Sequence, residues 1–288
     1  MEEVKWLRPR ITVEPPAVEM PPTEDELPCD DGVPMETPRH RQQMNLLIET
    51  LEIYWADRQD VYVGGNMFLY YNVNQVRNRD FIGPDFFAVQ GVERREHKSW
   101  VIWQEGKGPD VVIELLSEST ADYDKTEKKQ LYQDRVRVPE YFLYDPFSGE
   151  LAGFSLRDGE YTPIEPDAEG RLMSRQFGLM LLRAEGVYQH EQTIWLRWAT
   201  TDGAIIPTHQ EQAEQAHQQA EQAHQQAEQA RQRAEQEHVR AEQEQQRAEQ
   251  EHQRAEQERQ RAEQERRRAA EMEDLLARYR ERFGDIPE

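Results

Sequence analysis

The sequence predicts a mixed α/β (α+β) fold: a sheet flanked by helices, followed by one long helix at the C-terminus. Three observations predict it. An amphipathic helical stripe gives way to β-branched and aromatic runs, then to a second helical run and another strand, an order that requires a mixed sheet and not a helical bundle. One of those runs, DVVIELLS at 110–117, is apolar almost throughout, as a central strand covered on both faces must be. From Ala213 a seven-residue unit recurs eight times, ending with AEQERRR at 262–268, and it contains no Gly or Pro.

The first forty residues hold eight of the sixteen prolines, with pairs at 15–16 and 21–22. Proline fixes φ and removes a donor, so an arm over 1–26 is extended and lies across a folded body. The folded domain is expected over 27–208. Its first helix spans about 39–58, where Met44, Leu47, Ile48, Leu51, Tyr54 and Trp55 fall on one stripe at three- and four-residue spacing. Strands follow at 61–65, 67–73, 85–92, 99–105 and 110–117, each bounded by Gly, Pro, Asn or Asp. A second helix covers about 122–136 and Pro139 closes it. The strand YFLYD comes next, and turn-separated segments to about Trp198 predict hairpins. Residues 209–288 form the helical extension.

Composition narrows the function. Of 288 residues 57 are acidic and 35 basic, a net charge of -22. The part up to Gln212 carries 38 acids against 22 bases, net -16, and the rest 19 against 13, net -6. Such a charge argues against broad, non-specific adhesion to nucleic acid. The single cysteine, Cys29, excludes an intrachain disulfide and a cysteine-based zinc cluster. The N-terminus MEEVKWLRPR lacks an apolar signal core, and runs such as GLMLL at 178–182 fall far short of the ~20 residues a membrane helix needs. A cytoplasmic protein is expected.

Three side chains stand out as candidates for chemistry. Asp85 opens a strand in GPDFF, Glu114 lies inside the central strand, and Lys128 lies on the following helix with Asp124 one turn before and Tyr132 one turn after. A buried carboxylate is costly unless it is paired or coordinates a cation. Two carboxylates from neighbouring strands suit a hard divalent ion such as Mg²⁺, and a lysine can stabilise charge building on a phosphate. Each residue also has an ordinary reading. Asp85 after proline is a common turn residue, and Lys128 and Asp124 at i, i+4 make a common surface pair. Asp110 reads as a strand cap, and Ser117, Ser119 and Thr120 as a turn leading into the helix.

Together these residues carry a resemblance. PD at 84–85, PDVVIELLSEST at 109–120, D-x3-K-x3-Y at 124–132 and VPEYFLYDP at 138–146 resemble the Uma-two family of the PD-(D/E)XK nuclease superfamily. DDGVPMETPRH at 30–40 and LRWATTDGAIIPT at 196–208 extend the likeness over 27–208. The resemblance implies a restriction-endonuclease-like sheet and Mg²⁺- or Mn²⁺-dependent hydrolysis of phosphodiester bonds in nucleic acid, DNA first. It implies that Asp85 and Glu114 hold the metal. The superfamily lysine would fall two residues after Glu114, where this chain has Leu116. The helix is then expected to supply it as Lys128, with Lys125 and Lys129 on other helix faces. Glu36 and His40 match family positions that would add a further contact near the metal.

Two function classes remain open at this level: a metal-dependent nuclease, and a nuclease-like scaffold serving as an interaction module through its helical extension. Basic residues cluster only at Arg77 and Arg79, at Arg94, Arg95 and Lys98, and at Lys125, Lys128 and Lys129, each diluted by acids. In the extension His217, His224, His238 and His252 share one heptad position, ~10 Å apart along the axis, too far for one ion. Only one alanine per unit is reliably apolar, so the middle is expected to be a solvated helix with Glu–Arg pairs at i, i+3. Met272, Leu276, Tyr279 and Phe283 are the apolar anchors through which a homo-oligomer or a protein partner would bind.

Overall fold

The computed structural model describes residues 21–29, 37–73 and 80–284. Within them the strands run in order as β1 (Val61–Gly64), β2 (Leu69–Tyr70), β3 (Phe81–Ile82), β4 (Phe86–Gln90), β5 (Trp100–Val101), β6 (Val111–Leu115), β7 (Glu140–Tyr144), β8 (Leu151–Arg157), β9 (Glu160–Pro163), β10 (Leu172–Ser174), β11 (Leu179–Tyr188) and β12 (Glu191–Ala199). The fold is mixed α/β. Its main sheet has the order β1-β4-β6-β7-β8-β9, with β6 and β7 parallel and their neighbours antiparallel. A parallel pair cannot be closed by a hairpin, and the helix over 121–136 makes the crossover. Two smaller sheets, β10-β11-β12 and β3-β2-β5, complete the domain.

Period-two alternation along β6 divides the core. Val111, Ile113 and Leu115 pack in one apolar cluster with Leu47 and Leu51 of the helix Pro38–Tyr54. Val112 and Leu116 point the other way, into a cluster with Tyr132, Tyr141 and Leu143. The first helix begins after Thr37, whose hydroxyl accepts from the His40 backbone N–H, with Pro38 in the first turn where no donor is missed. Among residues 21–29 the arm does lie across the body: Trp103 Nε1 donates to the Pro22 carbonyl at 2.9 Å and the Tyr70 hydroxyl to that of Pro28 at 2.6 Å.

Two expectations need correction. The run SWVIWQE is strand only at β5; Ile102–Glu105 is a single helical turn closed by Gly106 at φ 73, where a left-handed residue lets its N–H return to the Ile102 carbonyl. The run at 67–73 is strand only at β2, because its neighbours in the small sheet are two residues long.

The chain divides into two units, Met1–Ala213 and Glu214–Glu288. The second consists of the remainder of the helix His209–Phe283, and its described side chains are exposed. Ion pairs at i, i+4 lie along it: His238–Glu242, Arg240–Glu244 and Arg278–Asp274. No helix among the described residues is long and apolar enough to cross a membrane.

Gly65 ties β1 to the start of β4. A Cβ there would lie 2.1 Å from the Asp85 carbonyl oxygen and 2.9 Å from Met44 Sδ. Because the obstacle is backbone, Gly65→Ala is expected to destabilise the protein by about 1–3 kcal/mol, as overpacking does. A chemical denaturation midpoint equal to that of the wild type would contradict this packing.

Candidate active site

Strand register and side-chain parity bring the two candidate carboxylates together. β4 and β6 are antiparallel with Phe86 opposite Ile113 and Phe87 opposite Val112, so continuing the ladder sets Asp85 opposite Glu114. Asp85 shares its face with Phe87, and Glu114 shares its face with Val112; both belong to the side covered by the helix over 121–136. The contacts are reciprocal. The Asp85 backbone N–H donates to Glu114 Oε2 at 3.2 Å, and the Leu115 N–H donates to Asp85 Oδ2 at 2.8 Å.

The helix supplies the cation. Lys128 Nζ lies 2.8 Å from Glu114 Oε2 and 3.4 Å from Asp124 Oδ1. The expectation of an ordinary surface pair between Lys128 and Asp124 is therefore corrected: Asp124 is buried, the Lys128 side chain is only 12% exposed, and the lysine bridges two carboxylates. The turn Asp124–Lys128 is wound as π-helix, a widening often found at functional sites. The other lysines face elsewhere. Lys125 pairs with Glu150 at 3.3 Å, and Lys129 lies 3.4 Å from the centre of the Phe154 ring.

Sequence reasoning undervalued two residues of this cluster. Tyr132 is fully buried and donates its hydroxyl to Glu114 Oε1 at 2.8 Å. Asp124 is buried at the other end of the same helical stripe, where the Tyr141 hydroxyl donates to its carbonyl at 2.9 Å. Their spacing from Lys128, four residues either way, was the available signal, since i, i+4 side chains share a helix face. Of the remaining expected residues, His40 is buried with Nε2 3.1 Å from the Leu116 carbonyl oxygen and Nδ1 2.8 Å from Thr37 Oγ1. It meets the backbone at the end of β6 and neither carboxylate. Glu36, Arg77 and Arg79 lie outside the described residues. Ser117, Ser119 and Thr120 form the expected turn by bonding one another. Asp110 accepts from the Gln90 N–H and from Lys107 Nζ, which fixes β6 to β4.

The electrostatics follow from burial. Loss of water pushes the Glu114 carboxyl up to about 8 although Lys128 opposes the rise, and Asp85 and Asp124 add to it. Burial also raises Asp124. For Lys128 burial favours the neutral amine, but the three surrounding acids outweigh it and hold the ammonium charged well above its ordinary range. Burial and Glu114 push the Tyr132 hydroxyl well up, so it stays a donor.

These residues fit a hard divalent cation. The donors are all carboxylate oxygens, and three acids face one ammonium. A carboxylate offers about four lone-pair sites, and Glu114 uses three of them. Among the described residues no three acids, histidines or cysteines converge on one point, so the protein would supply two ligands and solvent or substrate the rest, as Mg²⁺ sites usually do. An open groove of about 1070 Å³ runs along the outer face of the helix, with Lys125, Lys129 and Arg135 set against Asp80, Glu127 and Asp134; none of Asp85, Glu114 and Lys128 lines it.

A family model, Uma2, described as "Putative restriction endonuclease", matches residues 19–181. The chain belongs to the Uma2 family. Every residue of the cluster lies inside the matched span of this Uma2 chain. A solved structure from Anabaena variabilis ATCC 29413, described as "a putative nuclease belonging to DUF820", is similar at 17% identity. It covers 55% of this chain and 91% of its own, with a TM-score of 0.38. No curated protein matches the sequence.

A pH dependence follows. The folded Glu114 group is raised above its unfolded value of 4.5, so its contribution to stability is full below about pH 4.5 and is lost as pH rises through about 8. In chelator, the melting temperature of the wild type is expected to fall across that window, and Glu114→Gln to flatten the fall. Parallel pH profiles for the two proteins would remove Glu114 as the cause.

Proposed function

We propose that this Uma2 protein is a divalent-metal-dependent nuclease that hydrolyses phosphodiester bonds, with DNA as the first substrate to test. The observation that carries this reading is the ion pair of Lys128 with the fully buried Glu114, set beside Asp85. Lys128 reaches Glu114 from the helix, and the strand position two residues after Glu114 is Leu116, so the helix lysine would take the part that the PD-(D/E)XK pattern gives to the strand. Asp85 and Glu114 would hold Mg²⁺ or Mn²⁺, which supplies Lewis-acid polarisation of the phosphoryl group when bound. Tyr132 and the Asp85 backbone N–H fix the Glu114 carboxylate at both oxygens, so its direction is set before any ligand arrives. Lys128 would offer N–H donors to the charge that builds on the phosphate, in a site where burial strengthens the interaction. His40 would act at a distance from the chemistry, by fixing the end of β6.

A second reading, an inert nuclease-like scaffold that binds a partner or its own copy through the C-terminal helix, draws on the surface charge. Arg94 pairs with Glu52, Arg95 with Glu24 and Glu105, and Lys98 with Asp25, so these bases offer little free charge to a phosphate backbone.

The deciding experiment incubates full-length protein with single- and double-stranded DNA and RNA, with Mg²⁺, with Mn²⁺ and with chelator. Cleavage that needs the metal and disappears in Glu114→Gln is the expected result. Lys128→Ala should lower kcat roughly 10²–10³-fold, the usual scale for losing one donor to developing charge. Lys125→Ala and Lys129→Ala should leave it nearly unchanged, since both side chains are engaged elsewhere. No cleavage of any substrate, together with no metal binding by calorimetry, would favour the scaffold.

A further inference from the structure

Asp124 has no task in the reading just given, yet it is a buried acid, and buried acids are costly unless something requires them. It lies one turn before Lys128 on the same π-wound segment, its position fixed by the Tyr141 hydroxyl at its carbonyl and by a side-chain hydrogen bond with Thr120. The lysine ammonium therefore has two acceptors, Glu114 Oε2 at 2.8 Å and Asp124 Oδ1 at 3.4 Å.

The nearer contact is a conflict. Lys128 occupies an oxygen of Glu114 that a divalent cation would also attract, and the two positive charges repel. Three carboxylates act on Lys128: Glu114, Asp85 and Asp124. If the first two serve the cation, Asp124 is the one left. At i, i+4 it is carried by the same helix, so Lys128 reaches it by a change of its own side chain.

We propose that Asp124 is a positioning residue that takes over the Lys128 ammonium when a divalent cation occupies Asp85 and Glu114, keeping the lysine at the site without letting it compete for Glu114. This rests on the nuclease reading only in so far as Asp85 and Glu114 bind a cation.

The test is a double-mutant cycle read by Mn²⁺ titration calorimetry on the full chain, with no nucleic acid present: wild type, Asp124→Asn, Lys128→Met and the double variant. Asp124→Asn should weaken Mn²⁺ binding roughly tenfold or more, the scale on which groups behind metal ligands act. Lys128→Met should bind at least as tightly as the wild type. In the Lys128→Met background the same Asp124→Asn change should cost little, because there is no ammonium to relocate. An equal loss in both backgrounds would mean that Asp124 acts as one more negative charge, and no loss in either that it does nothing for the site; each overturns the proposal while leaving the cation site standing. No Mn²⁺ binding by the wild type overturns both this proposal and the nuclease reading. Should Asp124→Asn fail to fold by circular dichroism, Asp124→Ser completes the same cycle.

Discussion

One carboxylate in the middle of a five-residue buried strand organises this domain. Glu114 has no exposed surface, and every neighbour in β6 is apolar and buried. Without partners its charge would be several kcal/mol out of place. Tyr132 and Lys128 come from the helix over 121–136, and the Asp85 N–H comes from the adjacent strand. The crossover helix is thus docked by polar contacts as well as by its apolar face. Its two π-wound turns lie where those contacts are made. Removing one partner of such a network would leave a buried charge uncompensated, which costs several kcal/mol.

Charge elsewhere is arranged differently. The arginines and lysine at 94–98 are consumed by acids, two of which belong to the 21–29 arm, so the apparent basic cluster serves to hold that arm down. Glu140 is a second buried acid on β7, but Ser174 Oγ and the backbone N–H groups of Arg175 and Gln176 satisfy it. Its carboxylate is held by a hydroxyl and by main-chain donors at a turn. Two buried acids on adjacent parallel strands therefore differ in surroundings: one meets an ammonium and a second acid, the other a hydroxyl and main-chain N–H groups.

Much of this was legible in the residues. The apolar run of β6 with one acid inside it, the proline-rich arm, and the heptad repeat each follow from local composition and period, which act within a few residues. The choice among Lys125, Lys128 and Lys129 was also legible, because a helix places residues 124, 128 and 132 on one face. Less visible were Ile102–Glu105, where a left-handed glycine converts an aromatic run into a helical turn, and the burial of Asp124. Burial depends on what the rest of the chain lays over a residue, and spacing does not report it.

The order of the main elements, the central strand, the acidic character and the extent of the helical extension can be read from the residues alone, because periodicity, propensity and net charge are properties of contiguous residues. Folding brings Asp85 opposite Glu114, carries Lys128 to both Glu114 and Asp124, and pairs Arg95 and Lys98 with acids of the arm. Those outcomes depend on strand register, on which face of a crossover helix meets the sheet, and on burial. Each is set by packing between segments far apart in the chain.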